Sequence, residues 1–156
     1  MISIRKASES DADKIYEIRQ NAILEKCSPY YSKDQLLVWT QGEMSRGFVQ
    51  DVVDTFFVSE CEGQVIGCGK LSVEKSIVDA IFVSPEFFGR GAARKMLTFL
   101  ETLAKDHGLE LLKLESTLNA ASFYRSCGFV GEKYATYCSP QGVRLDCIPM
   151  EKQLTK

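Results

Sequence analysis

The chain has 156 residues, about the size of a single domain with one hydrophobic core, and its 45% hydrophobic and 26% charged content fits a folded protein rather than a disordered one. Nineteen Lys and Arg against 21 Asp and Glu leave a formal net charge of -2, which supplies no bulk field for gathering a polyanion and argues against nucleic-acid binding. No apolar run approaches the ~18 residues needed to span a bilayer, and charge follows the N-terminal Met1-Ile2-Ser3-Ile4, so we expect no membrane association and a cytoplasmic location.

Residues 2–7 alternate apolar and polar side chains, as a first strand does. Ser10 then offers an N-cap, and Ala12, Ile15, Ile18 and Ala22 follow at helical spacing to about Leu24. Pro29 breaks the chain, and Ser32-Lys33-Asp34-Gln35 forms a capping box for a short second helix carrying Leu36, Leu37 and Trp39. Residues 41–54 are polar and weakly patterned, with Gly42 and Gly47, and read as loop or poorly formed helix.

Residues 56–60 and 65–73 form an antiparallel hairpin about the turn at 61–64. A fourth strand, 76–84, is nearly continuous in apolar residues and reads as a buried central strand that stops at Pro85. From Gly91 the period changes: Ala93, Met96, Leu97, Leu100, Leu103 and Ala104 mark the longest helix, which Gly108 ends. Strand 109–115, a short helix over 120–127, strand 129–137, a turn at 139–142 and strand 143–152 complete the chain. The order β-α-α-β-β-β-α-β-α-β-β predicts helices packed on a mixed sheet within a single domain, 1–156.

Six cysteines contain no C-x-x-C pair, and the single histidine, His107, stands far from them in sequence. This spacing favours free thiols and no metal site. The segment richest in chemistry is 83–94, Val83-Ser84-Pro85-Glu86-Phe87-Phe88-Gly89-Arg90-Gly91-Ala92-Ala93-Arg94, which joins the fourth strand to the longest helix. Glycines there let consecutive amides converge, and a helix N-terminus leaves its first amides unpaired beside the positive end of the macrodipole. Such a site suits a phosphate or pyrophosphate, and Arg90, Arg94 and Lys95 add three cations beside it. The loop lacks the third small residue of a dinucleotide fingerprint, and no Gly-Lys-Ser/Thr of a P-loop is present.

Val83-Ser84-Pro85 followed by Phe88-Gly89-Arg90-Gly91-Ala92-Ala93, with Phe123-Tyr124-Arg125-Ser126-Cys127-Gly128-Phe129 downstream, resembles the paired motifs of the GNAT superfamily of acyl-CoA-dependent N-acyltransferases. The segment 31–39 further resembles small bacterial, single-domain members. Phe88 stands where the family usually has Gln or Arg, and Thr117 where it often has Asn, with Asn119 two residues on.

The resemblance implies the α/β (α+β) acyl-CoA N-acyltransferase fold: a mixed, mostly antiparallel sheet of six to seven strands, splayed centrally and flanked by about four helices. Acetyl-CoA, with no metal, would lie between the splayed fourth and fifth strands. Its pyrophosphate would rest on the amides of Phe88, Gly89, Arg90, Gly91, Ala92, Ala93 and Arg94, and its pantetheine on the backbone of Ile81, Phe82 and Val83. Thr117 and Asn119 would contact the pantetheine arm, or Asn119 would cap the short helix. Tyr124 would act as the acid that protonates the leaving thiolate, and the Val83 amide would donate to the thioester carbonyl.

Asp79, Glu60 and Glu115 remain open as bases, with a water chain as the alternative. Tyr30, Tyr31 and Trp39, with Cys27, Tyr134 and Tyr137, would shape the acceptor pocket or close the core. The implied activity is acetyl transfer to a primary amine of a small molecule or peptide. The alternative is a non-catalytic acyl-CoA-binding regulatory module, and a homodimer stays open as the assembly.

Overall fold

The computed structural model describes residues 1–154, so the last two residues of the expected domain, 155 and 156, lie outside the described residues. Seven strands, β1 (Ile2–Lys6), β2 (Phe56–Cys61), β3 (Gln64–Ser72), β4 (Ile77–Val83), β5 (Leu111–Thr117), β6 (Ala135–Cys138) and β7 (Arg144–Gln153), form one sheet in the order β1-β2-β3-β4-β5-β7-β6. Every neighbouring pair is antiparallel except β4 and β5, which run parallel. The mixed, mostly antiparallel sheet and its central splay are as expected.

Five helices cover it: α1 (Ala12–Lys26), α2 (Lys33–Trp39), α3 (Arg46–Thr55), α4 (Ala92–Asp106) and α5 (Ala121–Ser126). The periodic stripe of α4 buries Met96, Leu97, Leu100 and Ala104 against Leu71, Val78, Leu112 and Leu114 of the sheet. Each large apolar side chain buried this way contributes roughly 1.5–3 kcal/mol. On the opposite face, Ala12 and Ile15 of α1 pack with Val52 of α3 and with Phe56, Val58 and Cys68 of the sheet. The expected capping box of α2 forms: Ser32 Oγ accepts from Gln35 N at 3.0 Å, and Ser32 N donates to Gln35 Oε1 at 2.8 Å.

Several local readings need correction. Residues 41–54 are not loop throughout, because α3 starts at Arg46. Ser45 Oγ caps it by accepting from Phe48 N at 3.1 Å, and Phe48, Val49 and Val52 pack into the core. Tertiary burial here overrides a weak helical propensity.

The sixth strand is β6, four residues long, rather than 129–137. Upstream of it only Val130 bridges to Glu151, and an added Cβ at Gly131 would sit 2.2 Å from the Pro149 carbonyl oxygen, so the chain crosses β7 closely before it pairs.

Ser10 does not cap α1. A 3-10 turn, Glu9–Asp11, precedes that helix, and the Asp11 carboxylate accepts from Ser8 N at 2.8 Å. β4 is central but not buried throughout: only Val78 and Val83 are, because the strand leaves its β5 neighbour after a single registered pair, Ile77 with Lys113.

Candidate active site

The parting of β4 from β5 opens a cleft of about 1170 Å³. Its walls come from α1, α2, α3, both splayed strands, the loop before α4, α5 and the β6–β7 turn. Along α1 the lining side chains include Ile15, Tyr16, Arg19, Ala22, Ile23 and Lys26, one helical face running the length of the cleft.

β4 carries two special features at this opening. Pairing with β3 passes from Lys70↔Ala80 to Leu71↔Val78, which leaves Asp79 as the unpaired residue of a bulge. Bulges re-aim the side chains beside them. Accordingly Val78 and Ile81, three apart, both pack toward α4, while Phe82 packs toward α1 and Asp79 lines the cleft.

At the other end of the strand, Ser84 N donates to Ile66 O at 2.8 Å, flanking the Gly67↔Val83 pair. That pattern makes Gly67↔Val83 a non-hydrogen-bonded pair, so the N–H and C=O of Val83 point away from β3 and into the cleft.

The loop before α4 takes the shape its glycines allow. Gly89 has φ +78° and Gly91 has φ +81°, both in the left-handed region, with nothing within 4 Å of where a Cβ would sit. The first amide after the loop to find a backbone acceptor is that of Lys95, which donates to Gly91 O at 3.0 Å. Among the described residues, the amides from Gly89 to Arg94 have none, and Phe88, Gly89, Gly91, Ala92, Ala93 and Arg94 line the cleft.

The three expected loop cations separate. Arg94 lines the cleft and donates to Ser126 Oγ at 3.1 Å. Arg90 instead lies 5.0 Å over the Phe87 ring, and Lys95 Nζ is tied to the Ile2 carbonyl of β1. The sequence reading missed Lys26, whose Nζ lies 4.4 Å over the Phe88 ring at the same end of the cleft. Its position two turns beyond Arg19 on the lining face of α1 is the only signal that would have found it.

Tyr124 lines the cleft from α5, its ring edge-on to Phe123 at 5.2 Å and to Phe129 at 5.9 Å. Burial, with the Cys127 thiol as a lesser contributor, pushes the Tyr124 hydroxyl well above its ordinary value, and no hydrogen bond opposes that rise. The group is therefore a phenol at neutral pH. Asn119 and Thr117 also face the cleft. α5 has Ala120 at its N-cap with no side-chain cap, so Asn119 does not cap it, and Asn119 Oδ1 is buried without a partner among the described residues.

Of the three carboxylates considered as bases, Asp79 and Glu115 line the cleft. Glu60 does not, and its carboxylate pairs with Arg5 at 3.2 Å. Burial also raises the Asp79 pKa from its ordinary value, against the lowering fields of Lys70 and Lys75.

The expected acceptor aromatics divide as well. Tyr30 is exposed and outside the cleft, as is Tyr134, whereas Tyr137 lines it. Tyr31 and Trp39 border the cleft but are built into the core, edge-on at 5.8 Å. The Tyr31 hydroxyl donates to Asp146 O at 2.6 Å and accepts from Leu118 N at 3.1 Å, tying the α1–α2 connection to β7 and to the end of β5.

Comparison with known proteins places these features in a family context. Residues 53–131 match the family model described as the acetyltransferase (GNAT) domain. The uncharacterized N-acetyltransferase YafP of Escherichia coli strain K12 is 27% identical over 128 residues, 82% of this chain and 81% of that protein.

A GCN5-related N-acetyltransferase from Rhodopseudomonas palustris superposes with a TM-score of 0.89 at 23% identity, over 97% of this chain and 95% of that one. The PaiA N-acetyltransferase of Thermoplasma acidophilum, solved with coenzyme A, superposes with a TM-score of 0.78 at 19% identity, over 98% and 99%.

Proposed function

The chain belongs to the GNAT acetyltransferase family, and from that premise we propose that it transfers the acetyl group of acetyl-CoA to a primary amine of a small molecule or peptide by direct attack on the thioester. The observation that carries this reading is the convergence of three groups on one cleft: the free amides from Gly89 to Arg94, the outward Val83 amide and the unpaired Tyr124 hydroxyl. We read residues 1–156 as one acetyltransferase domain, since a single sheet runs from Ile2 to Gln153.

In this reading the pyrophosphate takes hydrogen bonds from the loop amides, with Arg94 and Lys26 supplying charge. The pantetheine arm lies along the open edge of β4 from Ile81 through Phe82 to Val83, where a departing β5 has left backbone groups without a strand partner. Thr117 and Asn119 face the arm from across the cleft, and the unpartnered Asn119 Oδ1 suits an amide N–H of the arm.

The neutral amine attacks the thioester carbon, and the carbonyl oxygen gains negative charge. A Val83 N–H donor aimed at that oxygen favours the transition state over the ground state. The C–S bond then breaks, and the thiolate accepts a hydrogen bond from Tyr124. Over the whole reaction the amine loses one proton and the thiolate gains one.

A phenol whose pKa stands above 10 is not an acid strong enough to hold a thiolate fully protonated, so Tyr124 stabilises the leaving group and water re-equilibrates it. Asp79, with its raised affinity for a proton and its place in the cleft wall, is suited to take the proton that the amine sheds.

The test is a thermal-shift titration with acetyl-CoA followed by a thiol-release screen over amines, polyamines, amino acids and peptides. At a hundredfold excess over Kd, binding adds about 2.7 kcal/mol, which raises Tm by roughly 5–10 °C for a chain of this size. No shift at millimolar acetyl-CoA refutes the site. Binding without thiol release from any amine refutes the transfer and leaves an acyl-CoA-binding regulatory module.

A further inference from the structure

Arg19 has no function in the acetyl-CoA half of the cleft. It sits seven residues before Lys26 on the lining face of α1, about 10 Å along the helix from the cation at the loop end. Ile15 and Ile23, one turn to either side of Arg19 on α1, belong to the two clusters against which Phe82 of β4 packs. Arg19 therefore stands at the level of the proposed thioester rather than of the pyrophosphate.

The guanidinium is held but not neutralised. One nitrogen donates to Gln20 Oε1 and another to Trp39 O at 3.4 Å, while the Gln20 carboxamide donates to Thr40 O. These contacts lock Arg19 against the C-terminal end of α2 and leave three of its five N–H groups without an acceptor among the described residues. Among the described residues it forms no ion pair. Burial destabilises its charged form, with only the hydroxyls of Tyr16 and Tyr137 and the Cys68 thiol nearby to favour it. A half-buried arginine with no carboxylate on its guanidinium is an open site for one, because the planar fork matches a carboxylate bidentately.

The surroundings supply the other half of the match. Tyr137, across the cleft on β6, lies within electrostatic reach of Arg19, Glu115 and Asp79 at once. Asp51, another acidic residue of the cleft wall, is already paired with Lys70 at 2.7 Å; of the cleft carboxylates without an ion pair among the described residues, Glu43, Asp79, Glu115 and Asp146, it is Asp79 and Glu115 that share the surroundings of Tyr137 with Arg19. The part of the cleft around Tyr137 thus combines a cation from α1 with carboxylates from β4 and β5.

Resting on the acetyl-transfer reading above, we propose that the acceptor is a small amine bearing a carboxylate, an amino acid in chemical class, whose carboxylate is bound by Arg19 while its amine faces Asp79 and Glu115. Arg19 is then a specificity-determining residue that touches the substrate and takes no part in the bond changes.

The experiment compares each α-amino acid with its own carboxamide in thiol-release kinetics. The acids should exceed their amides at least tenfold in kcat/KM. Arg19→Gln should raise KM for acids tenfold or more, change kcat less than threefold and leave the amides unaffected, with partial rescue by Arg19→Lys. A second arm needs no turnover: with CoA bound, calorimetry should detect N-acetyl amino acids and not their carboxamides.

Equal use of acids and amides by the wild-type protein overturns the assignment while leaving acetyl transfer standing, whether or not the variants fold. A preference for acids that survives Arg19→Gln does the same. Binding of N-acetyl amino acids through Arg19 without thiol release supports the carboxylate site and refutes the transfer. Absence of both overturns the inference.

Discussion

Tyr124→Phe and Tyr31→Phe remove the same atom from two tyrosines that border one cleft, and the structure requires opposite outcomes. The Tyr124 ring is held by Phe123 and Phe129, contacts that phenylalanine keeps, and its hydroxyl has no protein partner to lose. Stability should stay within about 0.5 kcal/mol, or within roughly 2 °C in Tm.

The cost falls on the reaction. A hydrogen bond to a charged group is worth about 1.5–3 kcal/mol, so kcat should fall roughly 10- to 150-fold, with acetyl-CoA affinity unchanged. Tyr31 has the reverse profile. Its hydroxyl bridges Asp146 O and Leu118 N, and burial pushes its pKa up to about 12. Removing it orphans both backbone groups, at a cost of about 1–3 kcal/mol and a Tm lower by roughly 3–10 °C. Differential scanning calorimetry and steady-state thiol release, run on both variants, read the two axes separately. A Tyr124→Phe enzyme within twofold of wild-type kcat refutes the leaving-group assignment. A Tyr124→Phe protein that loses as much stability as Tyr31→Phe refutes the reading of its hydroxyl as unpartnered.

Gly91→Ala should destabilise the fold by about 1–2 kcal/mol, the cost of left-handed φ for an L residue, and weaken acetyl-CoA binding in titration calorimetry because relief of that strain misaims the loop amides. Lys26→Gln should raise the acetyl-CoA Kd roughly threefold to tenfold at low ionic strength, and the difference should shrink above ~0.15 M salt, where screening is strong.

The Asp11 carboxylate is pulled down to about 2 by the Arg5 guanidinium, 2.8 Å away, so its stabilisation is complete above the unfolded value near 3.8 and is lost as pH falls through about 2. Asp11→Asn should therefore be less stable than wild type by about 1–2 kcal/mol at pH 7, with urea denaturation curves converging between pH 4 and pH 2.

Much of the fold and part of the site were legible in contiguous residues. The stripe from Met96 to Ala104, the Ser32–Gln35 box and the hairpin about 61–64 are local patterns, and each forms near its expected place. The glycine loop was legible for the same reason, since Gly89 and Gly91 announce the positive φ that they adopt. The reading failed at α3, where Gly47 and the β-branched Val49, Val52 and Val53 lower helical propensity and hid a Ser45 cap and an apolar face, Phe48, Val49 and Val52, that packs with Phe56 and Val58. The run 76–84 also read as a buried central strand, because no residue marks the bulge at Asp79 or the departure from β5 that leaves most of β4 only partly covered.

The sequence alone determined the order of elements apart from α3, and the two motifs that mark the family, since periodicity, caps and backbone sign are properties of neighbouring residues. Only the tertiary structure decided which side chains meet. It turned Lys95 toward β1 and brought Lys26 to the loop, committed Tyr31 to a backbone bridge while leaving Tyr124 unpaired, and buried Arg19 without a counter-charge. Those outcomes depend on residues distant in sequence. The parting of β4 from β5, which creates the cleft, is itself a choice between two strands separated by a helix, and pairing across that distance leaves no signature in either strand.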